Sequence, residues 1–423
     1  MDWPMVELDQ VAEIRGGATP RRDTPKYWGG DVPWLTPTDL PPLGSGVVDV
    51  EGTGDTITEE GLASCSASLL PPGTVLFSSR ASIGKIGIAA VPLTTNQGFA
   101  NLIPRPGVES RYLAWCLHSL ADRIAGLAGS TTFKEVAKSA LKRFHIPLPP
   151  PSEQRRIVEM IDQADRLRRL RAEADANADR ILPALLARTL GSPSSWVSDP
   201  RSRPLGQLVD PVSGATPSMQ VAEYWNGEVP WVSPKDMKRD FLSDSQDHVS
   251  QVALDKANLA IVEPGNVLIV VRGMILARDV PVALNLKRVT INQDMKALVP
   301  KTTEVTGSFL WAALRLANIT LRSLVRIAGH GTRKLDTPDL MQFPVVVPSP
   351  EQLILVESAV HQHRLLLEQR QNTREMISRL FANLLSRAFE GSLTASWREA
   401  HLDDLLQEME HQTKALAAPA RAE

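Results

Sequence analysis

Apolar side chains recur along this chain in two long runs with helical spacing. Each run follows a block whose apolar positions are grouped in short, strand-like stretches. In the first run, residues 157, 160, 164, 167, 171, 174, 178, 181 and 185 lie alternately three and four apart and read Ile, Met, Ala, Leu, Arg, Ala, Ala, Ile and Leu. This 3,4 alternation predicts a coiled-coil seam. Pro149 to Pro151 stop the preceding segment and open the helix at no loss of hydrogen bonding. A helix from Ser152 to Leu190 would reach roughly 58 Å at about 1.5 Å per residue, longer than a small domain is wide, and calls for a partner. Pro183 is expected to kink it near its end.

The second run supplies that partner. Positions 356, 360, 363, 367, 370, 374, 377, 381, 384 and 388 keep the alternation and read Val, Val, His, Leu, Arg, Arg, Ile, Phe, Leu and Ala. Ser349, Pro350 and Gln352 fit the N-cap, N1 and N3 positions of a capping box. Both runs close alike, with Leu185-Leu186-Ala-Arg188 and Leu384-Leu385-Ser-Arg387. The same spacing would also serve two amphipathic helices packed separately on their own domains.

The blocks before the two runs are copies of each other. Gly17-Ala-Thr-Pro20 returns as Gly214-Ala-Thr-Pro217, and Tyr27-Trp28-Gly-Gly-Asp-Val32-Pro33-Trp34 as Tyr224-Trp225-Asn-Gly-Glu-Val229-Pro230-Trp231, at a constant offset of 197. Farther on, Pro72-Gly73-Thr-Val75-Leu76 answers to Pro264-Gly265-Asn-Val267-Leu268, Arg80 to Arg272, Asn96-Gln97 to Asn292-Gln293, and Trp115 to Trp311. A duplicated unit of this kind builds a pseudo-dimer within one polypeptide. Each block reads as mixed α/β. The stretches Val75 to Phe77 and Val267 to Val271 are strands entered by Pro-Gly turns, residues 110–126 and 307–325 are helical, and residues 146–149 and 343–347 are extended. Gly17 and Gly214 are read as turn residues, and the Tyr-Trp and Pro-Trp pairs as core and turn residues. The expected order is a first block over residues 1–147, a helix over 148–190, a linker over 191–203, a second block over 204–347, a second helix over 348–390 and a tail over 391–423. The fold class is α/β in the broad sense (α+β), with two duplicated globular domains joined by two long helices in an antiparallel coiled coil.

Charge changes this picture locally rather than globally. The chain has 46 Lys and Arg against 48 Asp and Glu, a net charge of −2. Residues 80–146 nevertheless hold nine basic against three acidic groups, and residues 272–334 hold eleven against three. Basic patches on otherwise neutral domains are the footprint of phosphate binding, although solvated faces look similar. The N-terminus lacks the basic and apolar regions of a signal peptide, and no run reaches the length of a membrane span. A cytoplasmic protein is expected. Cys65 and Cys116 are the only cysteines, too few for a disulfide framework or a Cys-ligated zinc site. The nearest approach to a phosphate loop, Ser79-Arg-Ala-Ser-Ile-Gly84-Lys85-Ile86, lacks the first glycine and the hydroxyl residue after lysine. No Asn-Pro-Pro-Tyr, His-Glu-x-x-His or Gly-x-Ser-x-Gly signature occurs.

With these motifs the sequence resembles the specificity (S) subunits of type I restriction-modification enzymes. The resemblance is carried by Tyr27-Trp-Gly-Gly-x-Val-Pro-Trp34, Leu76-Phe-Ser-Ser-Arg80-x-Ser-Ile-Gly84, Asn96-Gln97, Pro147-Leu-Pro-Pro-Pro-Ser-Glu-Gln154 and Leu393-Thr-Ala-Ser-Trp397-Arg398. It implies two target recognition domains, each reading one half of a split, asymmetric double-stranded DNA site, with the helix pair as spacer. It also implies that the chain carries no catalysis and no cofactor. S-adenosylmethionine is expected on two modification subunits that methylate adenine, and ATP and Mg²⁺ on restriction subunits that translocate and cleave. The second block has Arg272-Gly-Met-Ile-Leu-Ala-Arg278 where the first has Arg80-Ala-Ser-Ile-Gly-Lys85, so the two loops cannot read DNA identically.

Candidate DNA contacts are the basic and hydroxyl residues in Gly- or Ser-rich loops and beside them: Arg80, Lys85, Thr132, Lys134 and Lys138 in the first block, and Arg272, Arg278, Thr332, Arg333 and Lys334 in the second. Small residues in Gly129-Ser-Thr-Thr-Phe-Lys134 and Gly329-His-Gly-Thr-Arg-Lys334 let the backbone approach a duplex closely. Val158, Ile161, Leu393 and Trp397 are candidates for contact with the modification subunits. Two other classes fit the sequence less fully: a scaffold with duplicated domains that does not bind DNA, and a stand-alone nuclease or methyltransferase with a divergent site.

Overall fold

The computed structural model describes residues 3–129 and 134–417. Contacts divide the chain into two units, residues 1–171 with 375–423 and residues 172–374. The division falls inside both long helices rather than at the Pro/Ser-rich linker, so each unit holds one globular block and parts of both helices. No helix among the described residues is long and apolar enough to cross a membrane.

In the first unit, Ala12–Gly16, Phe99–Pro104, Val75–Ser78, Ile86–Ala89 and Val48–Val50 form a five-stranded sheet in that order, antiparallel except for the last pair. Period-two alternation explains why a run as apolar as Val75-Leu76-Phe77 is stable there. Val75 and Phe77 face the core that also holds Tyr112, Trp115 and the long helices. Leu76 faces a second small core with Leu35, Leu40, Leu70 and Phe99. The second unit repeats the sheet with Val209–Ser213, Met295–Pro300, Val267–Val270, Val282–Asn285 and Phe241–Leu242. Both central strands are entered through the expected Pro-Gly turns, whose glycines adopt φ of +86° at Gly73 and +85° at Gly265, a region closed to most side chains. The helical stretch expected over 110–126 is Ser110–Ser119 followed by Ala121–Ala125, and that over 307–325 is Gly307–Leu316 followed by Asn318–Ser323.

The long helices differ from expectation in two ways. The first helix runs from Pro151 to Ala178, breaks, and resumes from Ile181 to Leu190. Pro183 causes a break rather than a kink. Its ring excludes the carbonyl four residues back, at Asp179, so the chain turns there and Pro183 falls in the first turn of the second segment, where it needs no backbone partner. The buried stripe of this helix is also rotated from the expected one. Ile157, Ile161 and Asp165 are buried in the first unit and Asp175, Leu182, Leu186 and Leu190 in the second, whereas Leu167 is 67% exposed and Ile181 is 63% exposed. A helix that packs on its own globular block as well as on a second helix buries the stripe shared by both neighbours, and that stripe need not be the most apolar one. The C-terminal helix, Pro350–Phe389, buries Val356, Val360, Arg370, Phe381 and Ala388 on the expected seam. Its capping box is formed, with Ser349 N–H donating to Gln352 Oε1 (3.0 Å) and Gln352 N–H to Ser349 Oγ (3.2 Å).

Charged groups inside these seams are paired. In the second unit Asp175 accepts from Arg370 Nε (3.2 Å) and Arg374 Nε (2.8 Å), while Arg370 also bonds Asp179. In the first unit Asp165 accepts from Arg168 Nη2 (2.6 Å) and Arg169 Nε (2.7 Å), and both arginines reach on to the Gly44 and Val47 carbonyls of the globular block. Glu153, fully buried at the start of the central helix, accepts from Trp3 Nε1 (2.9 Å), Thr394 Oγ1 (2.6 Å) and Arg398 Nε (2.8 Å). The tail helix Leu402–Ala417 adds Glu408, which accepts from Ser152 N–H (2.9 Å), and Gln412, which donates to the Gly107 carbonyl (2.9 Å).

The Asp175–Arg370 pair is nearly sealed from water, each side chain being 3% exposed. Removing Asp175 takes the buried acceptor from the Arg370 guanidinium and leaves it with Asp179, whose own side chain is half-exposed. Asp175→Ala is therefore expected to destabilise the protein by about 3–5 kcal/mol, and the double change Asp175→Leu with Arg370→Met to recover most of that loss, as measured by chemical denaturation.

Candidate nucleic-acid interface

The two globular blocks build one loop arrangement twice. In the first unit the Gly17-Ala-Thr-Pro20 segment lies against Asn96-Gln97: Ala18 N–H donates to the Thr95 carbonyl (2.9 Å), and Thr19 Oγ1 to Gln97 Oε1 (2.5 Å). In the second, Ala215 N–H donates to the Ile291 carbonyl (2.9 Å) and Thr216 bonds Gln293. Gly17 and Gly214 are not the turn residues expected of them. A Cβ at Gly17 would stand 2.2 Å from the Asn96 carbonyl oxygen, and one at Gly214 2.1 Å from that of Asn292, so close approach of two backbones dictates glycine. Trp34 and Trp231 brace the segment by donating to the Ala18 and Ala215 carbonyls, each at 3.0 Å. Trp28 and Trp225 stand edge-on to them with ring centroids 5.0 Å apart in both units.

Beside this frame a second pair of loops meets. Ala81 N–H donates to the Lys134 carbonyl (3.2 Å) and Val136 N–H to the Ser79 carbonyl (3.0 Å). The counterparts are Gly273 N–H to the Arg333 carbonyl (3.0 Å) and Leu335 N–H to the Val271 carbonyl (2.9 Å). Arg80 and Lys134, and likewise Arg272, Arg333 and Lys334, are thus brought together by backbone pairing of loops far apart in sequence. The exposed Arg80 guanidinium is oriented by Glu135 (2.8 Å), and Arg272 lies 4.0 Å from Asp294. Lys334 bonds Asp336 at 2.5 Å and holds that carboxyl below the usual range. Such exposed pairs contribute little stability and exchange readily for other anions. Lys138 is exposed and lies over Gly16, its ammonium filling the space that a side chain there would need. Arg278 is exposed beyond the turn Met274–Ala277, and Thr332 accepts from Ala328 N–H (2.7 Å). Thr132 lies outside the described residues.

Two assignments need correction. Lys85 does not present its ammonium at this face, because Nζ donates to the Pro37 (2.7 Å) and Leu40 (3.0 Å) carbonyls and ties the loop to the block beneath it. Ile161 is fully buried in the core of the first unit, so it offers no surface to a partner. Val158 and Leu393 are half-buried against the same core, and Trp397 is half-buried and stacked on His401 with centroids 4.5 Å apart. Sequence reasoning missed Arg22, whose guanidinium lies 4.4 Å from the Trp28 ring centroid and 4.8 Å from that of Trp34. It also missed the Thr19–Gln97 and Thr216–Gln293 pairs. Their signal was present in the repeated Gly-Ala-Thr-Pro and Asn-Gln motifs, which nothing in the sequence placed side by side. Among the described residues no group of three or more His, Cys, Asp or Glu stands where it could hold a metal ion.

This arrangement offers paired amides, hydroxyls and cations on exposed loops held by rigid strands, a combination suited to gripping a polyanion without chemistry. Comparison with known proteins agrees. The family model for the type I restriction modification DNA specificity domain matches residues 1–176 and 198–364. The specificity subunit of the type I restriction enzyme MjaIX from Methanocaldococcus jannaschii is 30% identical over 274 residues, 60% of this chain and 62% of that protein. The chain thus matches slightly less than two thirds of that relative's length. Among solved structures, a chain from work on complex assembly and conformational transition of the type I R-M system aligns with a TM-score of 0.61 and 18% identity, covering 93% of this chain and 98% of that one. The crystal structure of the type I restriction-modification system S subunit from M. genitalium aligns with a TM-score of 0.55 and 15% identity over 92% of this chain and 96% of that one. At such identities these two establish the fold alone. The family model, matching both copies of the duplication, establishes more: the chain belongs to the family of type I restriction-modification DNA specificity domains.

Proposed function

We propose that this chain is the specificity subunit of a type I restriction-modification complex, and that each unit reads one half of a bipartite, asymmetric site in double-stranded DNA. The observation that carries this reading is a loop frame built twice on the same tryptophan and glycine supports but furnished differently. Arg80-Ala81-Ser82 stands in one unit where Arg272-Gly273-Met274-Ile275 stands in the other, and Arg22 in one where Met219 stands in the other. The shared Thr-Gln pair and the lysines Lys134 and Lys334 position the phosphate backbone. The divergent residues confer sequence preference.

The chemistry belongs to partners. Two modification subunits bind S-adenosylmethionine and methylate adenine, restriction subunits translocate and cleave with ATP and Mg²⁺, and the assembly works in the cytoplasm on DNA. The modification subunits dock on apolar side chains that the two long helices leave outward. In the first unit these are Leu167, Leu170, Met376 and Leu380, beside an apolar groove of about 550 Å³ lined by Leu167, Ile377, Leu380 and Leu384. In the second they include Ile181 and Leu365. Exposed apolar area of this kind on a helix surface marks an interaction face.

Methylome sequencing of a host carrying this gene with its methyltransferase partner is expected to reveal two unequal half-sites, and one continuous palindrome contradicts the proposal. Lys134→Ala and Lys334→Ala are each expected to weaken binding to specific and random duplexes alike and to lower the slope of log affinity against log salt by about one. Titration at several salt concentrations checks this, and an unchanged slope removes the lysine from the contact. Leu167→Glu combined with Leu380→Glu is expected to abolish co-elution with the methyltransferase in size exclusion while leaving thermal unfolding of the isolated chain unchanged.

A further inference from the structure

Within the second unit an apolar tip stands among the candidate DNA-contacting cations. The turn Met274–Ala277 is held rigidly from below: Leu276 is fully buried, Gly273 N–H donates to the Arg333 carbonyl (3.0 Å), and Arg278 and Asp279 N–H donate to the Ile275 carbonyl (2.9 and 3.0 Å). Arg322 Nη1 fastens the end of the turn through the Arg278 carbonyl (3.0 Å). Gly273, at φ +136°, allows the chain to swing outward before the turn begins. The result is a fixed projection with Met274 66% and Ile275 42% exposed. Ile327, paired across a two-stranded ribbon with Arg333, is 65% exposed. Arg272 and Arg278 flank the tip in sequence, and the Arg333-Lys334 strand adjoins it through backbone bonds.

We infer that Met274 and Ile275 read a thymine 5-methyl group in the half-site of the second unit. This rests on the DNA-binding reading above and deepens it. Three observations select the ligand. A braced turn that exposes Met274 and Ile275 while burying Leu276 is not a core segment displaced by looseness. The surrounding cations favour a polyanion over an apolar protein surface. Of the features displayed on base edges in the major groove, the thymine methyl is the apolar one, and side chains recognise it by contact rather than by hydrogen bonding. The first unit has the exposed and smaller Ala81 and Ser82 in the corresponding stretch, so the two units present different apolar surface there.

Uracil pairs like thymine but lacks the methyl, so it isolates the interaction. With the site known, the complex of this chain and its methyltransferase is titrated with duplexes in which each thymine of the site is replaced in turn by uracil. One replacement is expected to weaken binding about fourfold, the effect of losing one buried methyl group. The complex carrying Met274→Ala and Ile275→Ala is expected to bind thymine and uracil duplexes equally at that position, with an unchanged melting temperature because both side chains are exposed. Equal binding of every uracil duplex by the wild type overturns the inference while leaving the DNA-binding reading intact, and so does discrimination that survives in the double variant. A site whose second half holds only G·C pairs overturns it too. Absence of salt-dependent duplex binding by the wild-type complex overturns both.

Discussion

A carboxylate taken out of water must be met by donors, and both units of this chain are closed around one that is. Glu153 in the first unit and Asp175 in the second sit on the helix that follows the first block, and their partners come from distant segments: Trp3, Thr394 and Arg398 for the one, Arg370 and Arg374 for the other. Apolar seams of Leu, Ile and Ala tolerate sliding by a turn, because one methyl group packs much like another. A buried acid tolerates none, since a shifted register leaves it without its arginine. These contacts therefore select one pairing of helix segments in each unit, and the sheets and loops that carry the DNA-facing groups inherit their position from that choice.

The duplication, the Pro-Gly entries to the central strands, the mixed α/β class and the Ser349 capping box depend on local chemistry and were legible. The stripe of the first long helix was not. Its most apolar 3,4 pattern includes Leu167 and Ile181, both of which face outward, because burial is decided by two neighbours that the helix's own sequence does not mention. Pro183 reads as a disruption, but whether a proline bends or breaks a helix depends on what can compensate the residues four back, which is tertiary information.

Candidate site residues divide along the same line. Arg80 and Lys134 come together within the first unit, and Arg272, Arg333 and Lys334 within the second, because loops distant in sequence pair through their backbones, a juxtaposition the shared repeat hints at without specifying. Lys85 shows the opposite case. A lysine beside a glycine reads the same whether its ammonium meets a phosphate or two carbonyls, and here it meets Pro37 and Leu40. The copies have also diverged in their inner anchoring. Trp115 donates to Asp162 at 2.7 Å, whereas Trp311 Nε1 finds no acceptor among the described protein groups and its ring instead stacks 6.3 Å from that of His363. Equivalent scaffolds can thus hold their blocks by different means while presenting the same outer frame.

The partners of Glu153 also impose an order on synthesis. Thr394 lies 241 residues beyond it and Arg398 lies 245 beyond it, whereas the second unit is continuous over residues 172–374. As the chain leaves the ribosome from its N-terminus, the first block emerges first but lacks the groups that neutralise its buried acid. The second unit emerges whole and can close on itself before the first is finished. A chain interrupted after residue 374 would keep a complete second unit and, in the first, a buried carboxylate with Trp3 as a donor but without Thr394 and the countercharge of Arg398, a defect that quality-control proteases are equipped to find.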